Sequence, residues 1–257
     1  MSLSDATPQR PSLTDVLRAA SAAEMTPQQI GLVKTWLAAA TNVRRLSKVL
    51  RRLSYAVSTA KVDLARLAIA RGADPNFRDD NGYTLLHNAL LEMCFTISTP
   101  AFVALLLGAG ADVNQRTQDG TLPLGIAITT LMWCVDDERR RAALQVVTML
   151  LRAGSAVSRY LGGSPANSAE EHMAHLERGH PNRHLTRDEP FRMLKALIRG
   201  VSAAGSWRAY ERRFHRGTLP RFRSLVVRDR ATSSDALLVA LAHLPHRPFR
   251  AVLAFGP

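Results

Sequence analysis

Two cysteines, Cys94 and Cys134, are all that 257 residues contain, so no disulfide framework is available and a reducing compartment is the natural home. Aromatic residues make up only 6% of the chain, too few for a sheet core built on Tyr, Phe and β-branched residues. Lysine is nearly missing. Of 34 basic residues only Lys34, Lys48, Lys61 and Lys195 are lysines, which leaves 34 − 4 = 30 arginines. No apolar run approaches the roughly 20 residues needed to cross a bilayer, and Met1-Ser-Leu-Ser-Asp5 is not a basic stretch followed by an apolar one. The expectation is a soluble intracellular protein, cytoplasmic and with the nucleus also open to it. No glycine-rich phosphate cradle, activated nucleophile or marked carboxylate pair is legible, so neither an enzyme nor a cofactor is expected.

What is present is apolar and helical in character. Hydrophobic residues reach 46%, which excludes disorder throughout and suits one elongated domain or two small ones. Leucine and alanine recur everywhere, favouring stacked helices. The formal charge of +13 is concentrated: between Arg178 and Arg230 stand 14 basic and 4 acidic residues, a local excess of 14 − 4 = +10. Such a field attracts nucleic acid, acidic lipid or an acidic protein surface. No interleaved aromatics for base stacking accompany it, so solvated arginines are the preferred reading.

Internal repetition is the decisive signal. Gly-Ala-Asp-Pro-Asn at Gly72 to Asn76 returns as Gly-Ala-Asp-Val-Asn at Gly110 to Asn114 and, weakened, as Gly-Ser-Ala-Val-Ser at Gly154 to Ser158. Each copy follows a Leu-rich amphipathic run, and a fourth run, Phe191 to Arg199, is read as ending at Gly200 in the same way. The glycines lie 38, 44 and 46 residues apart. A second hexad keeps time with the first: Thr84 to Ala89, Leu122 to Ala127 and Ser164 to Ala169. Thr84 or Ser164 suits a helix N-cap, Pro123 or Pro165 the first turn, and the glycines the left-handed stop of a second helix. No module of this kind buries its own apolar face, so several must stack.

With both motifs in order and repeated, the chain resembles an ankyrin-repeat protein. Relative to a repeat of about 33 residues, extra length falls at Phe95 to Pro100, Trp133 to Arg141 and Gly179 to Glu189. Insertions there would gather on one side of the stack, either to grip a partner or as solvated padding. The first module is degenerate. Val43 to Ala56 sets Leu46, Leu50 and Leu53 on one face and Arg44, Arg45, Lys48, Arg51 and Arg52 on the other, a basic amphipathic helix expected to serve as the polar outer cap of the stack.

Four histidines, His172, His175, His180 and His184, lie within thirteen residues. Without cysteine partners, and with Pro181 among them, they read as a solvated loop and not a zinc site, so no metal is expected. His87 belongs to the hexad; the resemblance implies that its imidazole bonds backbone across the turn, a structural task.

Beyond Gly205 the repeat stops, and three short amphipathic segments follow. An ankyrin stack ending in such a segment resembles the ankyrin-and-SOCS-box family, the substrate receptors of cullin-RING ubiquitin ligases. The resemblance implies that Pro220, Phe222, Leu225 and Val226 face an elongin B/C-type adaptor. It likewise implies that Leu244, Pro245 and Pro248 approach cullin-5. The family's cysteine is replaced by Val226, Arg230 stands where a later aliphatic residue is expected, and the proline pair has one residue too many. The competing reading has these helices cap the open end of the stack, burying Leu225, Leu237, Leu241 and Leu253.

The resulting expectation is an all-α ankyrin-repeat solenoid of about four modules with a C-terminal SOCS-box-like three-helix segment. Residues 1–26 form a flexible tail carrying one weak helix over the apolar patch Leu13 to Ala23, 27–42 a helical extension, 43–205 the repeats and 206–257 the terminal segment. The expected function is recognition: an unidentified substrate protein held on the concave face and insertions, with a ligase assembled at the C-terminus and no membrane involved. A plain ankyrin scaffold is the first alternative, and a basic nucleic-acid-associated protein the second.

Overall fold

The computed structural model describes residues 11–91, 95–134, 136–157, 168–179 and 189–213. The chain divides into two compact units, residues 1–199 and 200–257. Within the described residues there are helices and no strand, and an isolated β-type bridge joins Arg78 and Thr84.

Local sequence sets each helix start in the first unit. Ser12 accepts from the Asp15 amide to open α1 (Leu13–Ala20), and Thr26 forms a reciprocal box with Gln29 ahead of α2 (Pro27–Ala39), where Pro27 fits the first turn. Asn42 caps α3 (Val43–Leu53) and Ser58 caps α4 (Thr59–Ala70). There follow α5 (Leu85–Leu90), α6 (Thr99–Gly108), α7 (Pro123–Trp133), α8 (Asp137–Arg152), α9 (Ala169–Gly179) and α10 (Glu189–Ala204). Asp137 and Glu138 in the first turn of α8 complement the positive end of its helix dipole.

Consecutive helices pack as pairs, and each pair packs on the next. One layer contains α1, α3, α5, α7 and α9 in contact order, the other α2, α4, α6 and α8. Lys195 of α10 reaches Glu177 of α9 at 2.8 Å. The core between the layers is aliphatic, with Leu50, Leu86, Phe102, Leu124, Ile128 and Val147 fully buried. The repeated glycines do the same work in three places. Gly72, Gly110 and Gly154 have φ of +89°, +87° and +93° and stop α4, α6 and α8. In each, the next residue's amide (Ala73, Ala111, Ser155) returns 3.0 Å to the carbonyl of Ala68, Leu106 or Leu150.

Five expectations change. The helix expected within the tail is present at Leu13–Ala20 but is not loose: Val16, Ala19 and Ala20 are buried as α1 packs on α2 and α3. Consequently α3 is not the outer cap, because the α1–α2 pair stacks ahead of it. The padding at Trp133 to Arg141 is mostly helix: Trp133 ends α7, residues 137–141 begin α8, and Arg140 is buried. Gly200 does not end the fourth run, since α10 continues through it to Ala204 and the left-handed glycine is Gly205, φ +77°. Finally, α9 begins at Ala169, with the Ser168 hydroxyl accepting from the Glu171 amide. The cap is thus Ser168, four residues later than the Ser164 assignment.

Of the second unit, residues 200–213 are described. A side chain at Gly200 would overlap the ring of Tyr210, so glycine there lets α10 meet α11 (Trp207–Arg213) closely. Trp207 and Tyr210 lie with ring centroids 5.6 Å apart.

Candidate protein-interaction surface

The surface is built on two turns that carry the chain from one pair into the next, residues 77–83 before α5 and 115–121 before α7. They fold alike. Asp79 N–H donates to the Tyr83 carbonyl and Gly82 N–H to that of Asp79, at 3.0 and 2.9 Å; Thr117 to Thr121 and Gly120 to Thr117 repeat this at 3.1 and 3.0 Å. The side chains at equivalent positions hold the tips: Asp79 accepts from the amides of Asn81 and Tyr83, and Thr117 from that of Thr121. Gly82 and Gly120 take φ of +77° and +83°. A Cβ on Gly82 would also stand 3.0 Å from the Gln118 amide, so the tip requires glycine twice over.

The two turns are tied to each other. Gln118 N–H donates to the Asn81 carbonyl at 3.1 Å, and Arg78 donates to the Arg116 carbonyl at 2.6 Å. Behind them runs an asparagine ladder. Asn76 donates to the Gly110 carbonyl and accepts from the Asp112 amide; Asn114 does the same with Gly154 and Ala156. Each asparagine therefore satisfies one helix-end carbonyl and one turn amide of the following module.

His87 lies under this surface, fully buried. Its Nδ1 accepts from the Thr84 amide at 3.2 Å and is 2.8 Å from the Thr84 hydroxyl, which places the proton on Nε2, 3.2 Å from the Thr121 carbonyl. Burial holds its pKa down at about 4. The imidazole is a neutral tie between modules, in accord with the structural task assigned to it. In the next module Gly125 replaces it. The lateral tie there is His172 of α9, whose Nε2 is 3.0 Å from the Thr129 hydroxyl and whose pKa burial also lowers. His172 and exposed His175 thus stand on a helix, not in a loop; His180 and His184 lie outside the described residues.

What remains exposed on this frame is polar: Asp74, Arg78, Asp80, Asn81, Asp112, Gln118 and Asp119. A further tie links the first tip to α3, where Arg51 donates to Asp79 at 2.9 Å. Sequence reasoning missed Asn76, Asn114, Gly82 and Gly120 as a set. The signal was there: Gly82 and Gly120 share the 38-residue interval of Gly72 and Gly110. The residues assigned to an adaptor, Pro220, Phe222, Leu225 and Val226, and to a cullin, Leu244, Pro245 and Pro248, all lie outside the described residues, as do the three-helix segment and its capping alternative.

Comparison with known proteins agrees with this geometry. Residues 53–92 match the family model for ankyrin repeats in many copies. Two curated relatives share identity with part of the chain. One is a Schizosaccharomyces pombe protein named "Ankyrin repeat-containing protein P1E11.10", 35% identical over 69 residues, 27% of this chain and 31% of the relative. The other is "Potassium channel KOR1" of Oryza sativa subsp. japonica, 34% identical over 110 residues, 42% of this chain and 11% of the relative. The chain spans less than a third of either relative's length. The stack is an all-α ankyrin-repeat solenoid. No helix among the described residues is long and apolar enough to cross a membrane.

Proposed function

We propose that the chain is a non-enzymatic scaffold that holds a partner protein across the turn tips and the adjoining first helices of its ankyrin stack. The observation that carries this is the pair of tips joined through Arg78, Gln118 and the asparagine ladder. They keep exposed polar side chains at fixed separations, and the Asp80 and Asn81 side chains at the first tip stand exposed on that frame, which is what a recognition surface requires. The test is capture of partners by the full chain and by Asp80→Lys/Asn81→Lys, with cross-linking to locate the contact. The expected result is loss of the captured partner at unchanged helix content and melting temperature. Capture that is indifferent to the tips, with cross-links elsewhere, overturns the reading.

A second reading has the same scaffold deliver its partner to a cullin-RING ubiquitin ligase. It is supported by Phe222, Leu225 and Val226 with Pro220 ahead of them, and by Leu244, Pro245 and Pro248, in a segment that follows the stack. Elongins B and C, and cullin-5 with them, should then co-purify with the full chain and be lost in Leu225→Glu/Val226→Glu while the repeats stay folded. If no adaptor co-purifies, the plain scaffold stands alone.

A further inference from the structure

Helix α3 presents a face made only of cations. At 100° per residue, Arg51, Arg44, Lys48, Arg52 and Arg45 fall within an arc of about 120°, and no other residue of the helix enters that arc. Arg51 is engaged by Asp79 at 2.9 Å. Arg44, Arg45, Lys48 and Arg52 are exposed and form no ion pair among the described residues. The stack itself needs only the opposite side of the helix, where Leu46, Val49, Leu50 and Leu53 are fully buried.

One end of this stripe opens into a groove of about 410 Å³, bounded by Leu13, Trp36, Ala39, Ala40, Asn42 and Arg45 among others. Arg45 belongs to both. No residue that lines the groove is acidic, and α2, which supplies Trp36, contributes Lys34 and no carboxylate. The acidic residue of α1, Asp15, accepts from the hydroxyl of Ser12 at the groove's edge at 2.6 Å and is 3.8 Å from Arg18 of its own helix.

We propose that the groove and stripe together dock an acidic peptide segment of a partner protein, with an apolar anchor against Trp36 and carboxylates laid along Arg45, Arg44, Lys48 and Arg52. This deepens the scaffold reading and rests on it. Charge complementarity selects the acidic residues, and the aromatic and alanine walls select the anchor. A short peptide fits better than a nucleic acid. The stripe from Arg44 to Arg52 runs about 12 Å at 1.5 Å per residue. The Arg51–Asp79 pair then brings the first turn tip alongside, and the exposed carboxylates that follow, Asp74, Asp80, Asp112 and Asp119, repel a polyanion continuing along the stack. Trp36 is a single ring, without the succession of stacking platforms that single strands use.

The experiment titrates the full chain at low ionic strength with two fluorescein-labelled peptides: Leu-Phe-Gly followed by six glutamates, and the same peptide with glycines in place of the anchor. Arg44→Glu/Lys48→Glu should weaken both by about tenfold or more. Trp36→Ala should weaken only the anchored peptide, and Ala39→Glu at the groove wall serves if that variant does not fold. If the charge reversal disturbs the fold, Arg44→Gln/Lys48→Gln should show a smaller loss in the same direction. Arg212→Glu/Arg213→Glu on α11, a reversal of equal size, should leave both within about twofold. Equal losses from the two reversals mean bulk attraction and overturn the proposal. So does displacement of the peptide by a thymidine oligonucleotide at lower concentration through the same stripe. Anchor-dependent binding that appears only after residues 1–10 are removed also overturns it, by giving the groove to the chain's own start. A partner lost in the turn-tip variant but retained by Arg44→Glu/Lys48→Glu leaves the scaffold standing while this proposal falls.

Discussion

The junction between the α5–α6 and α7–α8 pairs and the junction between the α1–α2 and α3–α4 pairs bury similar helices by different means. At the first, His87 reaches Thr121, Thr130 donates to the Leu90 carbonyl at 2.6 Å, Asn76 bridges to Gly110 and Asp112, and the two turn tips clasp. At the second, no hydrogen bond crosses among the described residues; α1 packs on α3 and α2 on α4, with Val16, Ala20, Val33 and Leu37 buried. A polar tie demands a particular side chain at a particular place and so leaves a motif. Apolar packing accepts any residue of suitable size. That is why one junction announces itself in sequence and the other hides as a short patch in a Ser- and Pro-containing tail.

The largest test of this contrast is cavity formation at matched buried leucines. Leu124→Ala should cost about 2–5 kcal/mol and, because ties couple the central modules, accelerate amide exchange across α5 to α8 together. Leu37→Ala should release α1 and α2 alone, as local opening. Equal spread of exchange from both sites would erase the distinction.

Acid should loosen the tied junction next. The unfolded chain's imidazole takes its proton near pH 6.5, whereas His87 in the folded protein does so at about 4. Between these values the unfolded state holds more protons, so the contribution is full above pH 6.5 and is lost as pH falls through the window, by about 3 kcal/mol at its lower end. Denaturant melts should show a shallower fall over that range in His87→Gln. An unchanged slope would contradict the neutral buried imidazole.

Removing a ladder rung has a smaller effect. Asn114→Ala deletes two cross-module bonds and should cost about 1–2 kcal/mol, read as a lowered denaturant midpoint without a change in slope. The smallest pair sets a tip against a helix. Gly82→Ala, at φ +77° and crowded by Gln118, should cost about 1–2 kcal/mol. Gly31→Ala in α2, with open space around its Cα, should add about 0.5–1 kcal/mol. Thermal melts check both signs.

Legibility followed the same division along the whole chain. Gly72, Gly110 and Gly154 were readable because only a left-handed residue ends those helices. The hexad of Thr84 to Ala89 was readable because His87 has two bonds to make. The fourth module was misaligned: Ser164 and Ser168 are equally good caps in isolation, and packing of Ala169 and Met173 selects the latter. Gly200 looked like a helix stop, yet its small size serves the approach of Tyr210. The extra length after Trp133 looked like a loop because it exceeds a repeat of about 33 residues, although Arg140 is buried in α8. Of the candidate surface, the cationic face of α3 was plain from spacing. The groove beside it was not, since Leu13, Trp36 and Arg45 come from three helices.

From the amino-acid order alone came the helical class, the repeating module and the positions where each second helix must stop, because left-handed glycines, caps and a 3.6-residue apolar period are local demands on the backbone. Only the tertiary structure decided which pair comes first in the stack, which serine opens α9, and how Trp36 and Arg45 meet at one groove. Those outcomes depend on which apolar faces find each other across the chain, a choice that many sequences of similar composition satisfy and that no short motif records.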